Sequence, residues 1–133
     1  MINYIAVTEI GFDVVYTYLQ TEKINSDAKF IRYLKTKHKT TSMIIPQSID
    51  TIFRNKPIYI SSDIILYTLP HKQSTIRHHV NMCEIYKLNY NVARLKVDFY
   101  SGLPLCINDI KLSTFIRMHQ ILKLLREDLF IHR

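Results

Sequence analysis

Between Lys29 and Lys39 the sequence places Lys29, Arg32, Lys35, Lys37 and Lys39, with His38 as a sixth potential cation and no acid among them. On a helix, where successive residues turn by ~100°, Lys29, Arg32, Lys35 and Lys39 fall on one arc. Phe30, Ile31, Tyr33 and Leu34 fall on the opposite arc. Like charges three and four residues apart repel, and a phosphate backbone would relieve that repulsion. The chemistry implied is electrostatic contact with phosphates, without reading of bases. A solvated helix face filled with lysine is the competing reading of the same residues.

Two weaker basic sets follow. His71, Lys72, Arg77, His78 and His79 cluster after Pro70, and Arg94 and Lys96 share the polar side of an alternating stretch ending near Tyr100. A sheet face carrying Arg, Lys and aromatic residues can stack unpaired bases. Tyr90 and Tyr100 are the candidate platforms.

Enzymatic chemistry leaves sharper marks, and they are missing. The only glycines are Gly11 and Gly102, which excludes the Gly-rich phosphate loop and the dinucleotide-binding fingerprint. No Gly-x-Ser-x-Gly elbow and no His-Glu-x-x-His helix occurs. His78 and His79 are adjacent, so their side chains point apart on a strand and ~100° apart on a helix, and neither arrangement chelates one ion. Each histidine reads as an ordinary surface residue. A metal-dependent nuclease would have Asp98, Asp109, Glu127 and Asp128 to draw on, with Asp98 alone at a strand position. Cys83 and Cys106 lie 23 residues apart with no paired spacing, the pattern of buried free thiols rather than a zinc site. The expectation is a non-enzymatic protein without catalytic residues, metal or cofactor; a small nuclease acting through Asp98 is the alternative.

These side chains must be held by a scaffold, and the periodicity outlines one. Ile2 to Leu19 reads as two strands that are apolar on both faces. Thr21 to Asn25 reads as a loop. Ser26 and Asp27 are candidate caps for a helix of about three turns. Met43 to Ile45 is a brief apolar run, and Pro46 could open a short helix through Arg54. That helix and Asp27–Lys39 could form a helix–turn–helix, although seven intervening residues exceed the usual turn. Pro57 to Ile60 is extended, Ser61 to Asp63 caps a short helix or breaks a strand, and Ile64 to Leu69 fits strand or helix. Thr75 to Asn91 reads as a helix on the spacing of Ile76, Val80, Cys83 and Tyr86 or Lys87, against a strand reading through Ile76, His78, Val80 and Met82. Leu95, Val97 and Phe99 alternate with Arg94, Lys96 and Asp98, marking a half-solvated strand. Ser101 to Pro104 is a turn, and Leu105 to Ile107 returns as a partner strand.

From Asp109 or Ser113 to about Phe130 a helix runs without Gly or Pro. Phe115, Met118, Leu122, Leu125 and Leu129 form a stripe along it, suited to a core or to a partner. The fold expected is α+β: a single small domain, residues 1–133, with an antiparallel sheet packed against helices and a long amphipathic C-terminal helix.

The whole-chain figures fit such a domain. It has 133 residues, 47% hydrophobic, a formal charge of +7 and few Gly or Pro, excluding disordered and collagen-like classes. No basic-then-apolar leader opens it, and no apolar run approaches the ~18 residues of a membrane span. An intracellular, non-secreted protein with no membrane contact is expected. Twenty Ile, 11 Lys, 9 Tyr and 7 Asn against 3 Ala and 2 Gly read as an A/T-rich genome of viral or plasmid-like kind, which also inflates Lys. Apolar residues on both faces of Ile2–Leu19 and Ile58–Leu69 suggest surface for a stable protein partner.

The functional expectation is a small basic accessory subunit of a transcription or replication complex. Its phosphate contacts would be Lys29, Arg32, Lys35, Lys37, Lys39, Lys72, Arg77, Arg94 and Lys96. Phe115, Met118, Leu122, Leu125 and Leu129 would serve a partner. A structural or protein-interaction subunit without nucleic-acid contact is the alternative.

Overall fold

The computed structural model of the protein describes residues 2–7, 12–17, 19–38, 57–70, 77–91, 94–108 and 112–131. Six strands, β1 (Ile2–Val7), β2 (Asp13–Thr17), β3 (Thr21–Ile24), β4 (Ile58–Ser61), β5 (Ile64–Pro70) and β6 (Arg77–Asn81), form one sheet in the order β3-β2-β1-β6-β5-β4. Every neighbouring pair is antiparallel. The strands that are apolar on both faces, β1 and β5, take interior places, where both faces are covered.

One face of this sheet carries helix α1 (Asp27–Lys37): Ile5, Val15, Ile60, Ile64 and Leu66 pack with Ile31 and Leu34 of the helix. The other face belongs to a larger core. There Tyr4, Ala6, Ile65, Tyr67, Leu69 and Val80 meet a second, three-stranded sheet and helix α2 (Leu112–Ile131). The second sheet is antiparallel, with β7 (Ile85–Asn91), β8 (Arg94–Phe99) and β9 (Leu105–Asn108) in chain order. Leu95, Val97, Phe99, Leu105 and Ile107 turn inward from it. The result is α+β, with antiparallel sheets and two α-helices among the described residues. Among the described residues of Ile2–Leu19 and Ile58–Leu69, Tyr4, Ile5, Ala6, Val15, Ile60 and Ile64 to Tyr67 with Leu69 enter these two cores, while Leu19 stays exposed.

Thr21 to Asn25 is not a loop, since Thr21–Ile24 forms the edge strand β3, paired with β2. A short edge strand with three of its four residues exposed and only Ile24 packed against the core needs no apolar alternation, so its polar sequence carried no strand signal. Thr75 to Asn91 is not a helix. It holds β6, a 3-10 turn over Met82–Glu84, and β7. The period-2 reading through His78 and Val80 prevails because β6 lies between β1 and β5, where a ladder bonds it on both sides.

Asn81 makes the break between β6 and β7. Its side chain is fully buried; Oδ1 accepts from the amides of Ile65 and Cys83, each at 3.1 Å, and Nδ2 donates to the carbonyls of Ile2 (2.8 Å) and Asp63 (3.2 Å). The strand therefore ends where an amide side chain takes over the bonding. Ser62 and Asp63 turn β4 into β5, so Ser61 to Asp63 breaks a strand rather than capping a helix. Gly102, at φ 94°, takes a left-handed conformation in the turn before β9.

In α2, Phe115, Met118 and Leu122 are buried in the core, Phe115 lying 5.9 Å from the ring of Tyr67. These three serve the core of the chain itself. The side chains of Leu125 and Leu129 lie outside the described residues, as do the Met43–Ile45 run and the Pro46–Arg54 helix with its helix–turn–helix.

Candidate nucleic-acid interface

Helix α1 starts as its sequence directs. Ser26 is the N-cap, in extended conformation, and its hydroxyl accepts from the Lys29 amide at 3.4 Å. Ile31 and Leu34 face the sheet, and Lys29, Arg32, Lys35 and Lys37 are all exposed on the rest of the surface. No acid occurs from Ala28 to His38. Tyr33, expected to face inward, is instead 56% exposed and stands among these cations, its ring 6.2 Å from that of Phe30. Two buried side chains suffice to dock three turns, which leaves the remaining arc to solvent. Lys39 lies outside the described residues.

The helix is fastened at its N-terminus by a polar network. Asp27 Oδ2 accepts from Arg77 Nη2 at 3.0 Å and meets His79 Nε2 at 2.8 Å. His79 Nδ1 pairs with the Thr68 hydroxyl at 2.8 Å. The backbone N–H of Asp27 donates to Asp13 Oδ2 at 2.9 Å. Burial pushes the Asp27 carboxyl upward, but the hydrogen bonds from His79 and Arg77 outweigh it and hold the group below its ordinary value. His79 is no surface residue, being 4% exposed.

A hydroxyl, imidazole and carboxylate in a row also describe an acid–base chain. Here the carboxylate is committed to Arg77 as well as to His79, and the imidazole is sealed between helix and sheet. The arrangement works as a clamp that ties β2, β5 and β6 to α1. Arg77, counted among the phosphate contacts in the sequence, is placed in this clamp.

Arg94 and Lys96 lie on the opposite side of the molecule. With Leu95, Val97 and Phe99 turned inward, the outer face of the second sheet presents Arg94, Lys96 and Asp98 of β8. Asn91, Asn89 and Lys87 lie opposite them on β7, and Asn108 and Cys106 on β9. Asp98 accepts from Asn89 at 3.0 Å and lies 3.8 Å from Lys96. Tyr86 and Tyr100, 68% and 65% exposed, pair at the far end with centroids 5.6 Å apart and planes at 59°. Tyr90 pairs with Leu95 in the register, yet it is exposed.

The nine proposed phosphate contacts thus do not form one surface. Lys29, Arg32, Lys35 and Lys37 belong together on α1, Arg94 and Lys96 belong together on the second sheet, and the first sheet lies between. Lys72 falls outside the described residues. Tyr33 and Tyr86 escaped the sequence reading, Tyr86 because the Thr75–Asn91 stretch read as a helix.

Cys83 is buried, but Cys106, expected to be buried too, is exposed, and neither is in a disulfide. No group of three or more His, Cys, Asp or Glu side chains suited to a metal ion occurs among the described residues. None of the described helices is long and apolar enough to cross a membrane. Compared with protein-family models, with curated proteins and with solved structures, the chain has no match in any of the three.

Proposed function

We propose that this protein is a small, basic, non-enzymatic accessory subunit of a nucleic-acid-handling complex, which it joins by holding phosphates on helix α1. The observation that carries the reading is the exposed, acid-free surface of α1, with Lys29, Arg32 and Lys35 on one side of it and Lys37 on the other. The one acid of the helix, Asp27, is turned away from it toward Arg77 and His79. Cations gathered on a rigid element raise the local concentration of a polyanion and release its counterions on contact. Phosphate contacts of this kind position a strand without selecting sequence. The amphipathic stripe of α2 continues in sequence through Leu125 and Leu129, and those two positions are where a protein partner would extend the core.

The test is a triple variant, Lys29→Ala with Arg32→Ala and Lys37→Ala, compared with the wild type for binding to a labelled oligonucleotide at low salt. Three lost phosphate contacts should weaken binding by about tenfold or more. Unchanged affinity in a variant that melts like the wild type would remove α1 from the reading.

A further inference from the structure

The outer face of β7-β8-β9 combines groups that a merely solvated sheet does not need together. Tyr86 and Tyr100 present their rings to solvent at one end. About four residues along β8, roughly 13 Å at the usual strand rise, lies an open depression of about 420 Å³ lined in part by Asn89, Asn91, Arg94, Lys96 and Asn108. That volume falls in the range of a site for one small ligand. The only acid of the three strands is Asp98, and it is held by Asn89 and Lys96. Lys87 and Arg94, both exposed, have no ion pair among the described residues, so the face keeps a positive surplus.

We propose that this face binds an unpaired polynucleotide strand. Its bases would stack on Tyr86 and Tyr100, and one nucleotide would sit in the depression, its base edge against the Asn amides and its phosphate on Arg94 and Lys96. The proposal rests on the nucleic-acid reading of α1 and adds the state of the strand. Amides supply both donors and acceptors, so they bond a base edge of any identity. Ring faces can stack only on bases whose own faces are uncovered, which a duplex does not offer. Charge complementarity selects a phosphate-bearing strand over an apolar segment of a partner protein.

The experiment measures binding of the full chain to oligothymidylate and oligouridylate of about fifteen nucleotides and to a duplex of equal length, at one low salt concentration. The wild type should prefer the single strands. Tyr86→Ala with Tyr100→Ala should weaken single-strand binding by about tenfold or more, because each stacked base is lost outright, and leave duplex binding nearly unchanged. Tyr86→Phe with Tyr100→Phe, which keeps the rings, should restore the preference. Arg94→Glu with Lys96→Glu should weaken single-strand binding independently of the tyrosines.

Equal wild-type affinity for single strand and duplex would overturn the proposal. So would wild-type behaviour of both the Tyr→Ala pair and the Glu pair, even if the α1 triple variant no longer bound, and the α1 reading would then stand alone. A wild type that binds no strand at all would overturn both. Preference for both single strands over the duplex supports the proposal, and the ratio between the two reports the sugar and the base methyl group together.

Discussion

At the level of single residues, Asp27 does two jobs that a reader of the sequence sees only in part. As a carboxylate in the first turn it meets the partial positive charge of the helix N-terminus, and this much follows from Ser26 and Asp27 standing before a helical stretch. Its ion pair with Arg77 and its bond to His79 join residues 50 and 52 positions away, and nothing local announces them. We expect Asp27→Asn to lower stability by about 1–3 kcal/mol in urea melts near neutral pH. The pH dependence has a definite sign. The folded-state carboxyl lies below its ordinary value, so its stabilisation is present above the ordinary carboxylate range and is lost as pH falls through the lowered value. The gap between wild type and Asp27→Asn should therefore narrow in acid; a gap that widens there would contradict the assignment. Gly102 is the other residue whose identity is dictated singly: at φ 94°, Gly102→Ala should cost about 1 kcal/mol, read as a drop in melting temperature.

Among the elements, legibility followed the number of solvated faces. β8 alternates because one face meets the core and the other meets water, so Leu95, Val97 and Phe99 identified it directly. β3 is an exposed edge and had no apolar residue rhythm to read. β6 was confused with a helix because His78, His79 and Asn81 are polar yet sit in a central strand, where His79 and Asn81 are buried and satisfied by partners distant in sequence: Asp27 of α1 and Thr68 of β5 for His79, Ile65 and Ile2 of the neighbouring strands for Asn81. Tyr33 was misplaced for a different reason: three turns of helix on a sheet bury a narrower arc than the apolar residues of α1 span. Asn81 offers the sharpest check on this level. Asn81→Ala leaves the amides of Ile65 and Cys83 and the carbonyls of Ile2 and Asp63 without that partner, and should cost at least about 2 kcal/mol. A cost within experimental error would mean that the chain turns from β6 into β7 without it. Phe115→Ala, by contrast, removes a ring from the core between α2 and Tyr67, and should cost about 3–5 kcal/mol by denaturant unfolding.

For the molecule as a whole, the net charge of +7 matters less than where the fold leaves it. The six-stranded sheet separates two basic faces, α1 on one side and the outer surface of the second sheet on the other, so a strand held by one does not touch the other directly. Much of the helix face was legible, because cations at helical spacing remain together when the helix forms. The sheet face was legible only as Arg94 and Lys96 beside Tyr100, since its other groups come from β7 and β9 and meet only through strand register. Much of the apolar sequence that suggested a permanent partner lies in two cores within the chain, Leu19, Leu103 and Leu124 staying exposed, and the two basic faces carry the charge outward. The most direct measurement is therefore the dependence of wild-type oligonucleotide affinity on salt. With Lys29, Arg32, Lys35 and Lys37 each on a phosphate, the logarithm of the binding constant should fall against the logarithm of salt with a slope of about −3, and less steeply in the α1 triple variant. A wild-type slope near zero, or the same slope in the variant, would contradict phosphate binding by α1.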